Sequence, residues 1–284
     1  MIADLHTQHG YPLTTLCQVL SLARSSFYTQ PDDPADGELR QAIQEIQGQF
    51  PTYGTRRVTA QLRRAPYSMT VNRKRVQAVM RRQQWLQPCK RTKKRTTNSQ
   101  HGYPRYPNLV KDVVIDHPDQ VWVSDITYIR LQNEFVYLAV LMDVFTRRIR
   151  GWHLSRSLDQ TLTLTACQMA LRTHVPEIHH SDQGVQYAAT DYVALLQDQQ
   201  VQISMAAVGK SQENPFAERL NRTIKEEEVA LTEYLDFKDA LDQIGHFIEQ
   251  VYQHKRIHSA LRYLTPAEFE AQWLARQAKP QLLP

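Results

Sequence analysis

Three carboxylates that lie far apart in the sequence are the residues best suited to chemistry. Asp125 lies within the strand-like segment VWVSDITYIR (121–130), and Asp182 follows the strand-like segment EIHHS (177–181). Strand ends in open α/β sheets are where ligands and catalytic groups gather. Glu218 is separated from Asp182 by thirty-five residues and lies on a predicted helix. Oxygen ligands of this kind bind hard divalent cations such as Mg²⁺, so the three side chains predict a metal site built from carboxylates.

Each carboxylate also has an ordinary structural explanation. An aspartate at a strand end usually forms a turn or a cap, and a glutamate on a charged helix is usually solvated. Asp143 also ends an apolar strand and is therefore a rival to Asp125. The prediction of a site depends on the combination of the three residues and not on any one of them.

Two adjacent histidines, His179 and His180, precede Asp182 and suggest a different kind of metal site. Side chains alternate between the two faces of a strand, so the two rings cannot bind one ion without distortion. We therefore expect one histidine to pack in the core and the other to line the site. His6 and His9 form an HxxH pair without a matching CxxC, which argues against an N-terminal zinc module.

A long basic block precedes all three carboxylates and ends shortly before the first of them. No Asp or Glu occurs from Ile46 to Lys111, whereas 16 Lys and Arg occur there, and the rest of the chain holds 18 basic and 29 acidic residues. The net charge of +5 therefore combines a strongly basic stretch with a remainder whose net charge is −11. Binding to a phosphate backbone is the usual physical reason for such a block, so we predict contact with nucleic acid.

The basic block contains a predicted helix-turn-helix. Gly54 begins the helix TRRVTAQLRR, and Asn72 can cap the helix RKRVQAVMRRQQW, whose apolar residues face inward while its basic residues stay outside. The second helix of such a unit normally enters the major groove of DNA. A basic helical hairpin that holds phosphates without reading bases fits the same pattern. DNA binding is therefore predicted without base specificity.

The pattern of the whole chain predicts four regions. They are an N-terminal helix-turn-helix segment at 1–30, a basic helix-turn-helix DNA-binding domain at 37–88, a basic linker at 89–118 and a carboxylate-bearing core at 119–275. In the core the predicted element order is βββαβαβα, three hairpin-linked strands followed by alternating helices and strands. This order predicts an α/β fold, with a mixed sheet and helices on its faces.

Composition argues against several other classes of protein. The longest apolar run, FVYLAVLM at 135–142, is too short to span a membrane, and the N-terminus MIADLHTQHG lacks the apolar region of a signal peptide. Cys17, Cys89 and Cys167 are too widely separated for a disulfide framework or a CxxC zinc module. We therefore expect a cytoplasmic, nucleoid-associated protein without a membrane partner.

A nucleic-acid-binding protein with three such carboxylates is equipped to act on phosphodiesters. The reaction must activate water or a 3′-hydroxyl and stabilise a leaving alkoxide, and two Mg²⁺ ions about 3.5 to 4 Å apart do both. Each ion keeps positions open for phosphate oxygens and waters. One bridging carboxylate and one further carboxylate for each ion therefore suffice.

Several motifs resemble those of a known family. HSDQGVQY (180–187), together with Glu218, resembles the DDE signature of transposases and retroviral integrases, and WVSDITYI (122–129) resembles the strand that carries their first aspartate. SMAAVGKSQENPFAERLNRTIKEE (204–227) and YQHKRIHSALRYLTPAEFE (252–270) are similar to OrfB of the bacterial IS3 family of insertion-sequence transposases. The helix-turn-helix is similar to that of the same family, and the resemblance extends from about residue 11 to residue 270.

The resemblance implies a fold, a reaction and a cofactor. The fold is an RNase H-like mixed five-stranded sheet with flanking helices, preceded by a small all-α helix-turn-helix region. The reaction is nicking of DNA at the ends of the element, followed by joining of the exposed 3′-hydroxyl to target DNA. Two Mg²⁺ or Mn²⁺ ions would be bound through Asp125, Asp182 and Glu218.

The resemblance and the charge pattern together predict the DNA-contacting residues. Lys225, seven positions after the glutamate, would contact DNA at the element end, and Asn214 and Arg222 would support the site. The complete set of predicted DNA contacts is Arg56, Arg57, Arg73, Lys74, Arg75, Arg81, Arg82, Lys93, Lys94, Arg95, Arg222 and Lys225.

The resemblance also implies partners. They are DNA, in the form of terminal inverted repeats and a target, and further copies of the chain in a synaptic complex, because two element ends are handled together. In this family an upstream frame, OrfA, adds a helix-turn-helix and a leucine zipper. No sustained heptad occurs in this chain, so OrfA is expected as a partner or a fusion. Two other functions fit less well: an RNase H-like nuclease that cuts without joining, and a DNA-binding regulator with a vestigial core.

Overall fold

The computed structural model describes residues 2–22, 36–87, 106–207, 210 and 213–278. The chain divides into two compact units. The first contains residues 1–49 and 53–86, and the second contains residues 50–52 and 87–284.

The first unit is helical in the part of it that the structure describes. Its helices are α1 (Ile2–His9), α2 (Leu13–Val19), α3 (Asp36–Gln49), α4 (Thr55–Leu62) and α5 (Arg73–Arg82). The sequence did not predict α1. The second helix of the predicted N-terminal helix-turn-helix segment lies outside the described residues.

Helices α4 and α5 form the predicted helix-turn-helix, and α3 packs against both. Gly54 lies at the N-cap of α4, and the Asn72 side chain caps α5 by accepting a hydrogen bond of 2.9 Å from the Lys74 N–H. Both helix starts are therefore confirmed. Fully buried side chains of the three helices, Ile43 on α3, Leu62 on α4 and Met80 on α5 among them, supply the core of the unit.

The second unit is built on a five-stranded mixed sheet in the order β3-β2-β1-β4-β5. β1 pairs antiparallel with β2, β2 antiparallel with β3, β1 parallel with β4, and β4 parallel with β5. The strands are β1 (Val121–Arg130), β2 (Phe135–Asp143), β3 (Ile149–Ser155), β4 (Ile178–Ser181) and β5 (Gln202–Met205). The helices are α6 (Gln160–Leu171), α7 (Val185–Ala188), α8 (Thr190–Asp198), α9 (Pro215–Ile224), α10 (Phe237–His246) and α11 (Pro266–Gln277).

The predicted mixed sheet with helices on its faces is confirmed. Side chains of β1 alternate between the two faces, so Val121 and Val123 pack with residues of α9 and α10, whereas Trp122 packs with residues of α6 and α8. α9 continues into a π-helical turn (Lys225–Val229), and α10 into a second one (Phe247–Tyr252). The elements that follow residue 230 were not predicted from the sequence. None of the helices among the described residues is both long and apolar enough to cross a membrane.

The C-terminal helix α11 is fixed to the sheet by a buried arginine. Arg150 on β3 forms a two-pronged contact with Asp119, with 2.8 Å from Nε to Oδ1 and 3.0 Å from Nη2 to Oδ2. Its Nη2 also lies 2.6 Å from Glu270 of α11. Thr265 and Glu268 form a capping box at the start of α11, so the position and the first turn of this helix are both well determined.

Candidate active site

Asp125 and Asp182 lie at matching positions of neighbouring parallel strands. The register pairs Val123 of β1 with His180 of β4, and each aspartate lies two residues further along its own chain. Asp182 comes just after β4, where its Oδ1 accepts a hydrogen bond of 3.0 Å from the Gly184 N–H. The sheet therefore brings together two carboxylates that are far apart in the sequence.

The two carboxylates are close enough for the charge of Asp182 to act on the ionisation of Asp125. Burial raises the pKa of Asp125 to about 7, and the negative charge of Asp182 acts in the same direction. Hydrogen bonds from the Ile126 N–H, at 2.9 Å, and from the Asn221 side chain, at 2.8 Å, oppose the rise. Asp125 is thus a buried carboxylate beside a second carboxylate, and hydrogen-bond donors favour its ionised form.

Helix α9 is held against β1 by two asparagines on one of its faces. Asn214 has the residue type of an N-cap, but its side chain makes no capping bond; its Nδ2 donates instead to the Ser124 carbonyl at 3.0 Å. Asn221 donates to Asp125 seven residues later. Because i, i+4 and i+7 share a helix face, Glu218 lies on the stripe between these two anchors.

Glu218 itself is paired with a neighbour on its own helix. Its carboxylate lies 3.1 Å from Arg222 Nη2, and about half of each side chain is exposed. Across the described ranges, no three His, Cys, Asp or Glu side chains converge closely enough to hold a metal ion. The structure therefore brings Asp125 and Asp182 together and places Glu218 on the helix face bonded to β1, in contact with Arg222.

Lys225 begins the π-helical turn that follows α9. Its positive charge acts on Asp125, where it favours the ionised carboxylate. Partial burial lowers the pKa of Lys225, and the charge of Asp125 opposes this change. A cation at this position can neutralise part of a negative charge bound beside the two aspartates.

Asp143, the rival to Asp125, has a structural role. Its side chain is fully buried, and its oxygens accept hydrogen bonds from the Thr146 N–H at 2.8 Å, from the Thr146 hydroxyl and from the Asp119 N–H at 3.0 Å. Asp143 therefore organises the turn after β2, and Asp125 is the aspartate of this hairpin that faces α9.

Both histidines of the pair are buried core residues. His179 Nε2 lies 3.0 Å from the Ser124 hydroxyl and 2.9 Å from the Tyr192 hydroxyl, whereas His180 bonds to Ser204 and to the Glu213 carbonyl. Burial lowers the pKa of His179 to about 3 and also lowers that of His180. The expectation that one of the two lines the site is therefore wrong, since both belong to the core, one on each face of the sheet.

The predicted DNA-contacting residues of the first unit fall into two groups. Arg75 and Arg82 of α5 are ion-paired with Asp36, at 2.8 and 2.9 Å, and Arg57 packs over the ring of Tyr53. The second group consists of exposed side chains: Arg56, Arg73, Lys74 and Arg81. The predicted contacts Lys93, Lys94 and Arg95 lie outside the described residues, as does Cys89.

Two functional contacts were missed by the sequence analysis. Asn221 was not singled out, although its i+7 spacing from Asn214 is a signal that both face the same strand. Asp36 was not connected with the basic block because it lies before it, and only the folded helices bring it against α5.

Comparison with known proteins identifies the family. The model of an integrase core domain matches residues 115–211, a second integrase core model matches residues 199–266, and the model of an HTH-like domain matches residues 34–93. The chain is 33% identical over 271 residues to an insertion element IS600 31 kDa protein of Shigella sonnei, covering 91% of this chain and 98% of that protein. It is 31% identical over 281 residues to the transposase InsF for insertion sequence IS3A of Escherichia coli (strain K12), covering 94% and 97%.

The chain belongs to the IS3 family of insertion-sequence transposases. As an IS3-family transposase with an integrase core, it has the mixed five-stranded sheet with flanking helices that the resemblance implied. Polynucleotidyl transfer is the general class of activity of this family. Among solved structures it is similar to the HTLV-2 integrase catalytic core domain, at 15% identity and a TM-score of 0.44, over 54% of this chain and 97% of that one.

Proposed function

We propose that this IS3-family transposase nicks the ends of its element and joins the exposed 3′-hydroxyl to target DNA, with Asp125, Asp182 and Glu218 as its catalytic carboxylates. The observation that carries the proposal is that Asp125, on β1, and Asp182, just after the neighbouring parallel strand β4, each lie two residues beyond the paired residues Val123 and His180. Asn221 adds to it, because its bond to Asp125 fixes the Glu218 helix against the same strand.

The donor set fits a hard divalent cation. All three side chains offer carboxylate oxygens, which Mg²⁺ and Mn²⁺ prefer, and a bound cation would counter the raised pKa of Asp125. The Glu218–Arg222 pair is half exposed, and such ion pairs contribute little, so its exchange for a metal costs little. When bound, two such ions activate the attacking oxygen and stabilise the leaving one.

The remaining residues of the site hold the carboxylates in position and neutralise negative charge. The Asn221 amide holds one oxygen of Asp125, and the Gly184 N–H holds one oxygen of Asp182, so each carboxylate keeps a fixed orientation. Lys225 lies where a DNA phosphate beside Asp125 would meet its charge. Arg222 is then free to contact DNA once Glu218 turns to the site.

We propose residues 37–88 as the DNA-binding domain and 119–275 as the catalytic core. Helix α5 would approach DNA with Lys74 and Arg81, which are exposed and lie seven residues apart on one face. Assembly of two or more copies on a pair of element ends, with an OrfA product as partner or fusion, completes the proposal.

Asp36→Asn is expected to strengthen DNA binding. The substitution removes the Asp36 carboxylate that Arg75 and Arg82 share, so the positive charge of both arginines is less neutralised beside a phosphate. The slope of log K against log salt should become steeper by up to about 0.9 for each released arginine that reaches a phosphate. The measurement is a binding titration with element-end DNA at several salt concentrations.

The matched control for this prediction is Glu38→Gln. Glu38 is an exposed residue of the same first turn of α3, and its substitution removes the same charge without touching Asp36. An equal change in slope for both variants would show that net charge alone, and not release of the two arginines, alters binding.

The proposed reaction is tested by incubating the chain with labelled element-end DNA, Mg²⁺ and a target plasmid. Joined product supports transposition. Nicked ends without joined product would instead support a nuclease, and tight binding without metal-dependent nicking would support a regulator with a vestigial core.

A further inference from the structure

The helix that carries Glu218 does not end at the site but continues into a π-helical turn. This turn spans Lys225–Val229, so Lys225 is its first residue and Glu227 its third. Such turns are rare and occur frequently at functional sites. Whatever fixes Glu227 therefore also fixes the end of the helix from which Lys225 projects.

Glu227 is held by a buried arginine from a distant part of the chain. Arg256 Nε lies 2.6 Å from Glu227 Oε2, and Arg256 Nη2 lies 2.7 Å from Oε1. Only 3% of the arginine side chain and 11% of the glutamate side chain are exposed. Two parallel bonds between planar groups fix direction as well as distance, which a single contact cannot do.

Arg256 is in turn fixed by its own segment. Its Nη1 donates to His258 Nε2 at 3.1 Å, since an arginine has no acceptor to offer, and its guanidinium lies 5.8 Å from the centre of the Tyr252 ring. The His258 N–H donates to the Leu264 carbonyl at 2.9 Å. All four residues lie in the stretch YQHKRIHSALRYLTPAEFE, to which the proposed reaction assigns no role.

Stability alone does not account for this arrangement. A well-packed pair of apolar side chains often stabilises a protein as much as a buried ion pair does, or more. An apolar pair does not, however, reproduce the directional geometry of the ion pair. Lysine keeps the charge but cannot form the planar fork. The contact is therefore suited to setting a position.

We propose that Arg256 is a positioning residue for the proposed joining reaction: through Glu227 it fixes the π-helical turn, and so the places of Lys225 and Glu218 relative to Asp125. The inference rests on the proposed function and names a residue outside the carboxylate site on which that function depends.

The test compares Arg256→Lys with Arg150→Lys. Arg150, on β3, forms the same kind of buried fork, with Asp119, and also pairs with Glu270, but it does not bond to Glu227. Both variants retain the positive charge and lose a planar contact of the same type. The rate of joining at saturating element-end DNA and the melting temperature are measured for both.

Arg256→Lys is expected to lower the joining rate at least about tenfold, and Arg150→Lys less than about twofold, at comparable melting temperatures. A second variant, Arg256→Met combined with Glu227→Leu, removes the fork while leaving no buried charge unpaired. It should fold and show the same loss of rate. Lys225→Gln should then cost less in the Arg256→Lys background than in the unsubstituted chain, because both changes act on one contact.

Equal joining rates for the two lysine variants would overturn the inference, as would fully additive effects of Arg256→Lys and Lys225→Gln. If the unsubstituted chain nicks but does not join, the proposed function fails instead, and the same variants are then compared by nicking rate. If it does neither, the two lysine variants and the double variant are compared by their affinity for element-end DNA. An affinity of Arg256→Lys equal to that of the unsubstituted chain would then overturn the inference.

Discussion

Asp182→Asn is expected to abolish metal-dependent nicking and joining while leaving DNA binding intact. Asparagine keeps an oxygen that can accept the hydrogen bond from the Gly184 N–H, so the turn after β4 is preserved. It removes the negative charge that the proposed site needs for a divalent cation. A loss of at least about a thousandfold is expected, the scale seen when one member of a set that acts as a unit is removed. The measurement is the rate of joined product with labelled element ends.

The control for this prediction is Asp198→Asn, the same substitution at an exposed aspartate of α8. It should join at the rate of the unsubstituted chain. Joining undiminished in Asp182→Asn would remove Asp182 from the site, whatever the behaviour of the other carboxylates.

Gly151→Ala is expected to destabilise the second unit severely. A Cβ at this position of β3 would collide with the Ala166 carbonyl oxygen and lie 2.9 Å from both the nitrogen and the Cβ of Ala170. These are atoms of α6 itself, so the whole helix must move off the sheet. We expect a loss of more than about 3 kcal/mol in the free energy of unfolding, the upper end for overpacking. Urea unfolding followed by fluorescence, to which the buried Trp122 contributes, measures it.

Gly245→Ala provides the comparison within the same unit. Its Cβ would lie 3.0 Å from the ring of Trp152, which is a side chain that is only partly buried and can shift. The helical position also gains propensity, by about 0.8 to 1.0 kcal/mol. If the urea concentration at the unfolding midpoint is as high for Gly151→Ala as for Gly245→Ala, the close approach of α6 to β3 does not require glycine at position 151.

The position of the two aspartates was within reach of the sequence because it depends on local pattern. Strand-like segments 121–130 and 177–181 could be recognised from their β-branched and apolar residues, and a parallel pairing places their C-terminal halves side by side. The helix starts at Gly54 and Asn72 were predictable for a similar reason, since capping depends on residues a few positions apart.

The contacts that decide the chemistry were not predictable in the same way. Asn214 has the residue type of a cap, yet its amide bonds to Ser124, ninety positions away in the chain. The pairing of Arg75 and Arg82 with Asp36 likewise depends on how three helices pack. Residue types give the options for a polar side chain, but tertiary packing chooses among them.

The most direct test of the central claim, that three carboxylates act as one site, is joining by Glu218→Gln. Of the three carboxylates, Glu218 is the one that forms an ion pair with Arg222, so a substitution of Glu218 tests the proposed site most strictly. Arg222→Gln, which breaks the same ion pair from the other side, is the control. We expect Glu218→Gln to lower the joining rate as much as Asp182→Asn does, and Arg222→Gln to lower it much less. Joining by Glu218→Gln at the rate of the unsubstituted chain would contradict it.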